Sequence, residues 1–269
     1  MFYLRKFFLH TSIKEGLLEN SSGEDNFYAC IRVPNGTWKT TTHGRFTDLD
    51  QWLVGHLPRN TGLRVLDVGI SSAITTVDLD TALRDNGISP EIVGIDLFPD
   101  ANMTTFGPIT VLSEGSFIYQ VDCGPLRFPN AMFQRNRLAI VVKIIAKLVL
   151  ATRTGVKIPF ICREAQSRGV IIIREDIIGE RFLVGGTRFQ LVRAMNILNA
   201  AYFSEADLVK AIRNLHSVLD PHGMILVGRS EQDRAMATLF GCAEGGFDIV
   251  ERYGAGCDIE SIILSALRG

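Results

Sequence analysis

From Leu63 onward, short apolar runs alternate with segments whose apolar residues recur at helical spacing. Arg64 to Val68 and Glu91 to Ile95 read as short buried strands, and Ser72 to Arg84 between them reads as a helix that Asn86-Gly87 stops. Strands alternating with helices predict a parallel sheet with right-handed crossovers. The rhythm breaks at Ile109 to Leu112 and Ser116 to Val121, which flank Glu114-Gly115 and predict a hairpin, and then at an apolar helix from Arg137 to Arg153. It resumes with strands at Val170 to Ile173 and Phe189 to Arg193. Ser204, with Asp207 three residues on, opens the clearest helix, in which Leu208, Ala211, Ile212, Leu215, Val218 and Leu219 form one apolar face. Asp220-Pro221-His222-Gly223 ends that helix, and Met224 to Gly228 is the next strand. Phe247 to Arg252 and Ser261 to Leu264 predict a final pair of strands around Gly254-Ala255-Gly256.

Residues 1–60 lack this rhythm apart from a helix over Thr47 to Leu57, with Thr47 as N-cap and Asp50 at the third helical position. The chain therefore divides into an N-terminal extension or cap, 1–60, and an α/β domain, 61–269, interrupted by an insertion at about 103–165. About 80 residues separate the second and third strands, far more than a crossover needs. In the inserted helix Asn136, Lys143, Lys147 and Thr154 share one narrow polar stripe, and almost everything else is Leu, Ile, Val or Ala. Such a helix must be covered. The candidates are the host domain, a second copy in a homodimer, or an apolar substrate or membrane surface with the lysines at the headgroups.

Composition narrows the class. A chain of 269 residues with 46% hydrophobic positions can bury a large core in one domain carrying an insertion. The formal charge of −1 offers no basic excess for nucleic acid, so no nucleic-acid partner is expected. Five cysteines with no C-x-x-C pair point to thiols in a reducing cytoplasm, with neither a disulfide framework nor a metal site. No stretch approaches the ~20 apolar residues of a membrane span, so no transmembrane segment is expected.

The strongest local chemistry lies in Val65-Leu66-Asp67-Val68-Gly69-Ile70-Ser71-Ser72-Ala73. A strand ends in Asp-x-Gly, and small residues lead into a helix. Gly69 lets backbone pass close to a ligand, and Asp67 is placed to reach into the crevice at the carboxyl edge of the sheet. Asp96 follows Gly69 by 27 residues at the end of the next strand, where a carboxylate can accept both hydroxyls of a ribose. The run after Gly69 is not G-x-G-x-x-G, and a carboxylate at Asp67 would sit badly beside a pyrophosphate, which disfavours a dinucleotide.

These two segments resemble the first two motifs of class I S-adenosylmethionine-dependent methyltransferases. Ile173-Arg174-Glu175-Asp176-Ile177-Ile178 is similar to the family's third-strand motif. Phe189 to Leu198, with its R-A-M-N-I-L, resembles the fourth-strand R-N-V-L stretch of chemotaxis-receptor methyltransferases. Leu219 to Gly228 resembles the run L-x-P-G-G-x-L-x-x-G into the fifth strand, and a last hairpin would supply the sixth and seventh. The resemblance covers about Leu63 to Leu264.

It implies a Rossmann-like seven-stranded methyltransferase sheet with helices on both faces, and S-adenosyl-L-methionine as cofactor. Asp67, Gly69, Ser71, Ala73, Asp96 and Leu97 would line the cofactor site. Asp176 would meet the adenine amino group and Ile177 the ring; of the further candidates, Asn196 either contacts cofactor or acceptor or caps its strand, and Arg193 either binds an anionic group or makes a structural ion pair. Apart from the resemblance, Thr42-His43-Gly44-Arg45-Phe46 reads either as a solvated loop or as a segment that folds over the cofactor and brings Arg45 to the methionine carboxylate. The implied activity is O- or N-methylation of a small molecule, with protein carboxyl methylation as the alternative. Ser71 and Ala73 replace the family's usual second and third glycines, which motivates a further alternative, a catalytically silent scaffold. No catalytic base is identified by any motif.

Overall fold

The computed structural model describes residues 10–17, 24–39, 41–59, 62–134, 136–182, 186–231 and 234–267. In chain order, α1 (Ile13–Leu17) and α2 (Glu24–Ala29) precede α3 (Thr47–Val54), β1 (Gly62–Val68), α4 (Ile74–Asp85) and β2 (Ser89–Asp96). The middle of the chain forms β3 (Asp100–Phe106), β4 (Ile109–Glu114), β5 (Phe117–Cys123), β6 (Leu126–Pro129), α5 (Arg137–Thr152), β7 (Val156–Pro159) and α6 (Arg163–Ser167). The remainder forms β8 (Ile171–Arg174), β9 (Phe189–Met195), α7 (Glu205–Ser217), β10 (Leu219–Glu231), β11 (Arg234–Ala243), β12 (Gly246–Tyr253) and α8 (Glu260–Ser265). The chain splits into two units: Met1–Thr42 with Phe98–Gln166, and His43–Leu97 with Ser167–Gly269. The break thus falls at Thr42/His43, not near residue 60, because α3 packs on α4 inside the second unit.

The second unit holds a seven-stranded sheet of order β12-β11-β10-β9-β1-β2-β8. Its parallel strands, β8-β2-β1-β9-β10, follow the 3-2-1-4-5 order of a doubly wound α/β fold. Helices cover both faces because alternate strand residues point opposite ways. Leu66, Val68, Val192, Ala194, Ile225 and Val227 pack with Leu208, Ile212 and Leu215 of α7 and Ile263 of α8. Val65, Leu191, Leu226 and Leu239 pack on the other face with Leu49 and Leu53 of α3 and Leu79 and Leu83 of α4.

Three expectations change. The final antiparallel pair is β11 and β12, each joined to its predecessor by a hairpin. Residues 261–264 lie in α8, where Ile259, Ile263 and Ala266 bury at helical spacing; so short an apolar run has no period to separate strand from helix. The helix after residue 46 begins with Phe46 as N-cap and no side-chain cap bond, so Thr47 does not cap it. By contrast Ser204 does cap α7, accepting the Asp207 N–H at 3.2 Å.

The first unit is built on a wholly antiparallel five-stranded sheet, β6-β5-β4-β3-β7. The predicted hairpin is its β4–β5 core. Ile13, Phe27, Tyr28 and Ile31 from the N-terminal segment bury one face with Leu112, Tyr119 and Phe160. On the other face Ala139, Ala146 and Val149 of α5 pack with Val111, Val121 and Phe128. Asn136 caps α5, its carbonyl oxygen accepting the N–H groups of Leu138 and Ala139.

Candidate functional site

Parallel register aligns the carboxyl ends of the central strands. Val68 stands beside Ile95 and Ala194, Asp96 beside Arg174, and Met195 beside Gly228. Gly69, Asp96, Glu175 and Asn196 therefore leave the sheet at one level. Strand order reverses between β1 and β9, and open α/β sheets bind ligands at that reversal.

The turn from β1 into α4 has an unusual backbone. Gly69, Ser71 and Ala73 all stand left-handed, with φ of 69°, 56° and 63°. Ser71 and Ala73 thus hold the conformation glycine favours, at a cost of about 1–2 kcal/mol each. The turn is pinned to the end of β2: the Gly69 N–H donates to Ile95 O at 2.8 Å, and the Ser71 N–H donates to Asp96 Oδ2 at 2.7 Å. Ala73, the N-cap of α4, makes no side-chain cap bond to the amide donors of the first turn, a setting that favours an anionic group. Ser72 Oγ is fully buried in this turn without a hydrogen-bond partner. A small-residue turn, an uncapped helix start and a strand-end carboxylate fit an adenosyl ligand with a carboxylate tail. Ala73→Gly is expected to be neutral or to stabilise the fold by up to about 1 kcal/mol in urea denaturation, against the usual loss for Ala→Gly. A loss above that size would show that Ala73 is unstrained.

Asp67 and Arg193 do not face this edge. They are register partners on adjacent strands, and their parity turns both toward the α3–α4 layer. Arg193 is buried between two carboxylates, with Nη1 at 3.3 Å from Asp67 Oδ2 and Nη2 at 3.2 Å from Asp50 Oδ1. Thr76 of α4 donates its hydroxyl to Asp67 at 2.7 Å, and the Phe46 ring lies 5.2 Å from the Arg193 guanidinium carbon. Burial pushes the Asp50 carboxyl up to about 6 against the pull of Arg193, with Asp67 and Asp78 adding to the rise. Burial also pulls Arg193 down, but the two carboxylates outweigh it and hold it above its ordinary value. The network clamps α3, β1, α4 and β9 together beneath the turn.

The remaining predicted residues surround the edge. Asp176 is exposed in a tight turn, its Oδ1 accepting the Ile178 N–H at 3.1 Å, while Ile177 is buried in the core beside α7. Asn196 is left-handed at φ 60° and ties β9 to β10 by accepting the Ser230 N–H at 2.8 Å. Leu97 is exposed just past β2. In the segment before α3, His43 Nδ1 meets Asp78 Oδ1 at 3.0 Å, and Arg45 donates to Ser230 Oγ at 2.6 Å, which ties this segment to the second turn of α4 and the end of β10. Asp50, Thr76, Asp78 and Ser230 join the site's framework without any motif to announce them.

No protein-family model and no curated protein matches the sequence. Solved structures are similar to it at low identity. An O-methyltransferase family protein from Burkholderia thailandensis is 14% identical, with a TM-score of 0.35 over 68% of this chain and 36% of its own. The N-methyltransferase NodS from Bradyrhizobium japonicum, in complex with S-adenosyl-L-homocysteine, is 13% identical, with a TM-score of 0.35 over 71% and 65%. An S-adenosylmethionine-dependent methyltransferase from Clostridium acetobutylicum is 10% identical, with a TM-score of 0.36 over 85% and 80%. This chain spans little more than a third of the length of the O-methyltransferase structures, 36–37%. By its own strand order and register the chain carries a doubly wound α/β unit, and these three solved proteins similar to it are methyltransferases.

Proposed function

We propose that this chain is an S-adenosyl-L-methionine-dependent methyltransferase acting on oxygen or nitrogen of a small-molecule acceptor. The observation that carries the reading is the left-handed turn Gly69–Ser71–Ala73, hydrogen-bonded to Asp96 at the switch point of the sheet. Ser71 and Ala73 hold the left-handed backbone that glycine favours, which weighs against the scaffold alternative. In this assignment Asp96 receives the ribose hydroxyls and the exposed Asp176 carboxylate receives the adenine amino group. The start of α4, with Arg45 at the neighbouring end of β10, receives the methionine carboxylate. Ile177 supports its loop from the core, and Asp67 and Arg193 act beneath the site by holding the turn in place.

The bound cofactor would supply a methyl group on a sulfonium centre for in-line displacement. The chain contributes positioning and the exclusion of water. A carboxylate acceptor needs no proton removed, whereas a hydroxyl does.

Calorimetric titration tests the reading. Wild-type protein is expected to bind S-adenosylmethionine and S-adenosylhomocysteine with micromolar affinity. Asp96→Asn keeps an acceptor for the Ser71 N–H but loses the charge, and should weaken both by about tenfold. Absence of binding of either ligand would reject the enzyme reading in favour of a scaffold; unchanged affinity in Asp96→Asn would remove the ribose assignment alone. Once binding is established, carboxylic acids, phenols and amines are the acceptors to screen.

A further inference from the structure

Helix α5 buries one face and leaves the other open. Ala139, Ala146 and Val149 pack on the five-stranded sheet, while Leu138, Ile140, Val141, Ile144, Ile145 and Leu148 on the outer side are 41–63% exposed. At spacings of three and four these six chains are contiguous, forming an apolar patch on the order of 500 Å², near the upper end for a monomer.

The charge on the helix is one-sided. Between Asp122 and Glu164 the chain has no carboxylate and eight cations; Arg127, Lys157 and Arg163 pair with Asp122, Asp100 and Glu24, while Arg137, Lys143, Lys147 and Arg153 lie on or beside the helix. All 29 acidic residues of a chain with net charge −1 lie outside that stretch. A second copy seated on this face would bring like charges together over less area than the ~800 Å² per partner of a stable interface. At 16 residues the helix is short for a span, and no described helix is long and apolar enough to cross a membrane.

We infer that α5 docks the protein on an anionic lipid surface, its outer aliphatic face in the acyl boundary and its cations at the headgroups. The inference is independent of the methyl-transfer reading.

Sedimentation of the full chain with vesicles tests it. Wild-type protein should bind vesicles containing phosphatidylserine at least about tenfold more tightly than pure phosphatidylcholine vesicles, with the difference shrinking as salt rises. Ile144→Ser with Leu148→Ser should lower binding to the anionic vesicles by at least about tenfold. Arg137→Glu with Lys147→Glu should abolish the preference for anionic lipid. All four positions are exposed, so melting temperatures should stay close to wild type. Equal binding by wild type and the apolar variant would overturn the proposal, as would absence of vesicle binding. So would a wild-type dimer that the apolar variant dissolves, which would identify a second copy as the occupant.

Discussion

Arg193→Met is expected to destabilise the protein by about 3–5 kcal/mol. The arginine is buried between Asp50 and Asp67, both themselves buried, and its two terminal nitrogens are divided between them. Methionine fills similar volume but leaves two carboxylates without a counter-charge, and removing one member of a buried ionic group costs far more than the group contributes when whole. Arg193→Lys should recover little, because a single ammonium cannot present two separate donors along a rigid fork. Urea denaturation at neutral pH reads the effect; a loss below about 1 kcal/mol in Arg193→Met would mean that the aspartates find other partners. Because the triad joins α3, β1 and β9, and Thr76 ties α4 to Asp67, the same variant should also loosen the Gly69–Ala73 turn and weaken binding of the proposed S-adenosylmethionine.

The second large effect concerns pH. Asp50 holds its proton up to about pH 6 in the folded protein, against about 4 for an aspartate in an unfolded chain. The folded state therefore binds more protons between these values, and this group's contribution to stability is complete below about pH 4 and lost as pH rises through about 6. In Asp50→Asn that contribution is absent at every pH, while an oxygen acceptor for Arg193 remains. The difference in unfolding free energy, wild type minus Asp50→Asn, should fall by about 3 kcal/mol from pH 4 to pH 7. Parallel stability curves for the two proteins would show that Asp50 ionises in the fold as it does in water.

Strand and helix periods in the sequence expose most of the doubly wound unit, because β1, β2, β9 and α7 are bounded by turn residues and bury regular faces. β11 is not legible: Ala235, Met236, Ala237 and Gly241 mix small residues without alternation, and pairing with β10 on one side and β12 on the other makes the segment a strand. At the site, Gly69, Ser71, Ala73 and Asp96 come together as a strand-end motif predicts. Asp67 does not reach the crevice, and the reason lies in parity: it shares a face with Val65, and Arg193 with Leu191. What the motif could not indicate is Asp50, 17 residues before Asp67 on a separate helix. Only the packing of α3 against the sheet brings that carboxylate to Arg193.

Both units are discontinuous in the chain, and this sets an order on synthesis. Ile13, Phe27, Tyr28 and Ile31 are made many residues before Leu112, Tyr119 and Phe160, the side chains they pack with. The N-terminal segment must therefore remain unpaired while β1 and β2 are made, and β1 in turn waits beyond the first unit for β9. Contacts of such long sequence separation slow folding and leave apolar segments open to misassociation. Residues 13–33 are thus an integral layer of this unit: without them the aromatic face of the five-stranded sheet would stand exposed, so the fold depends on that segment most at the moment the middle of the chain appears.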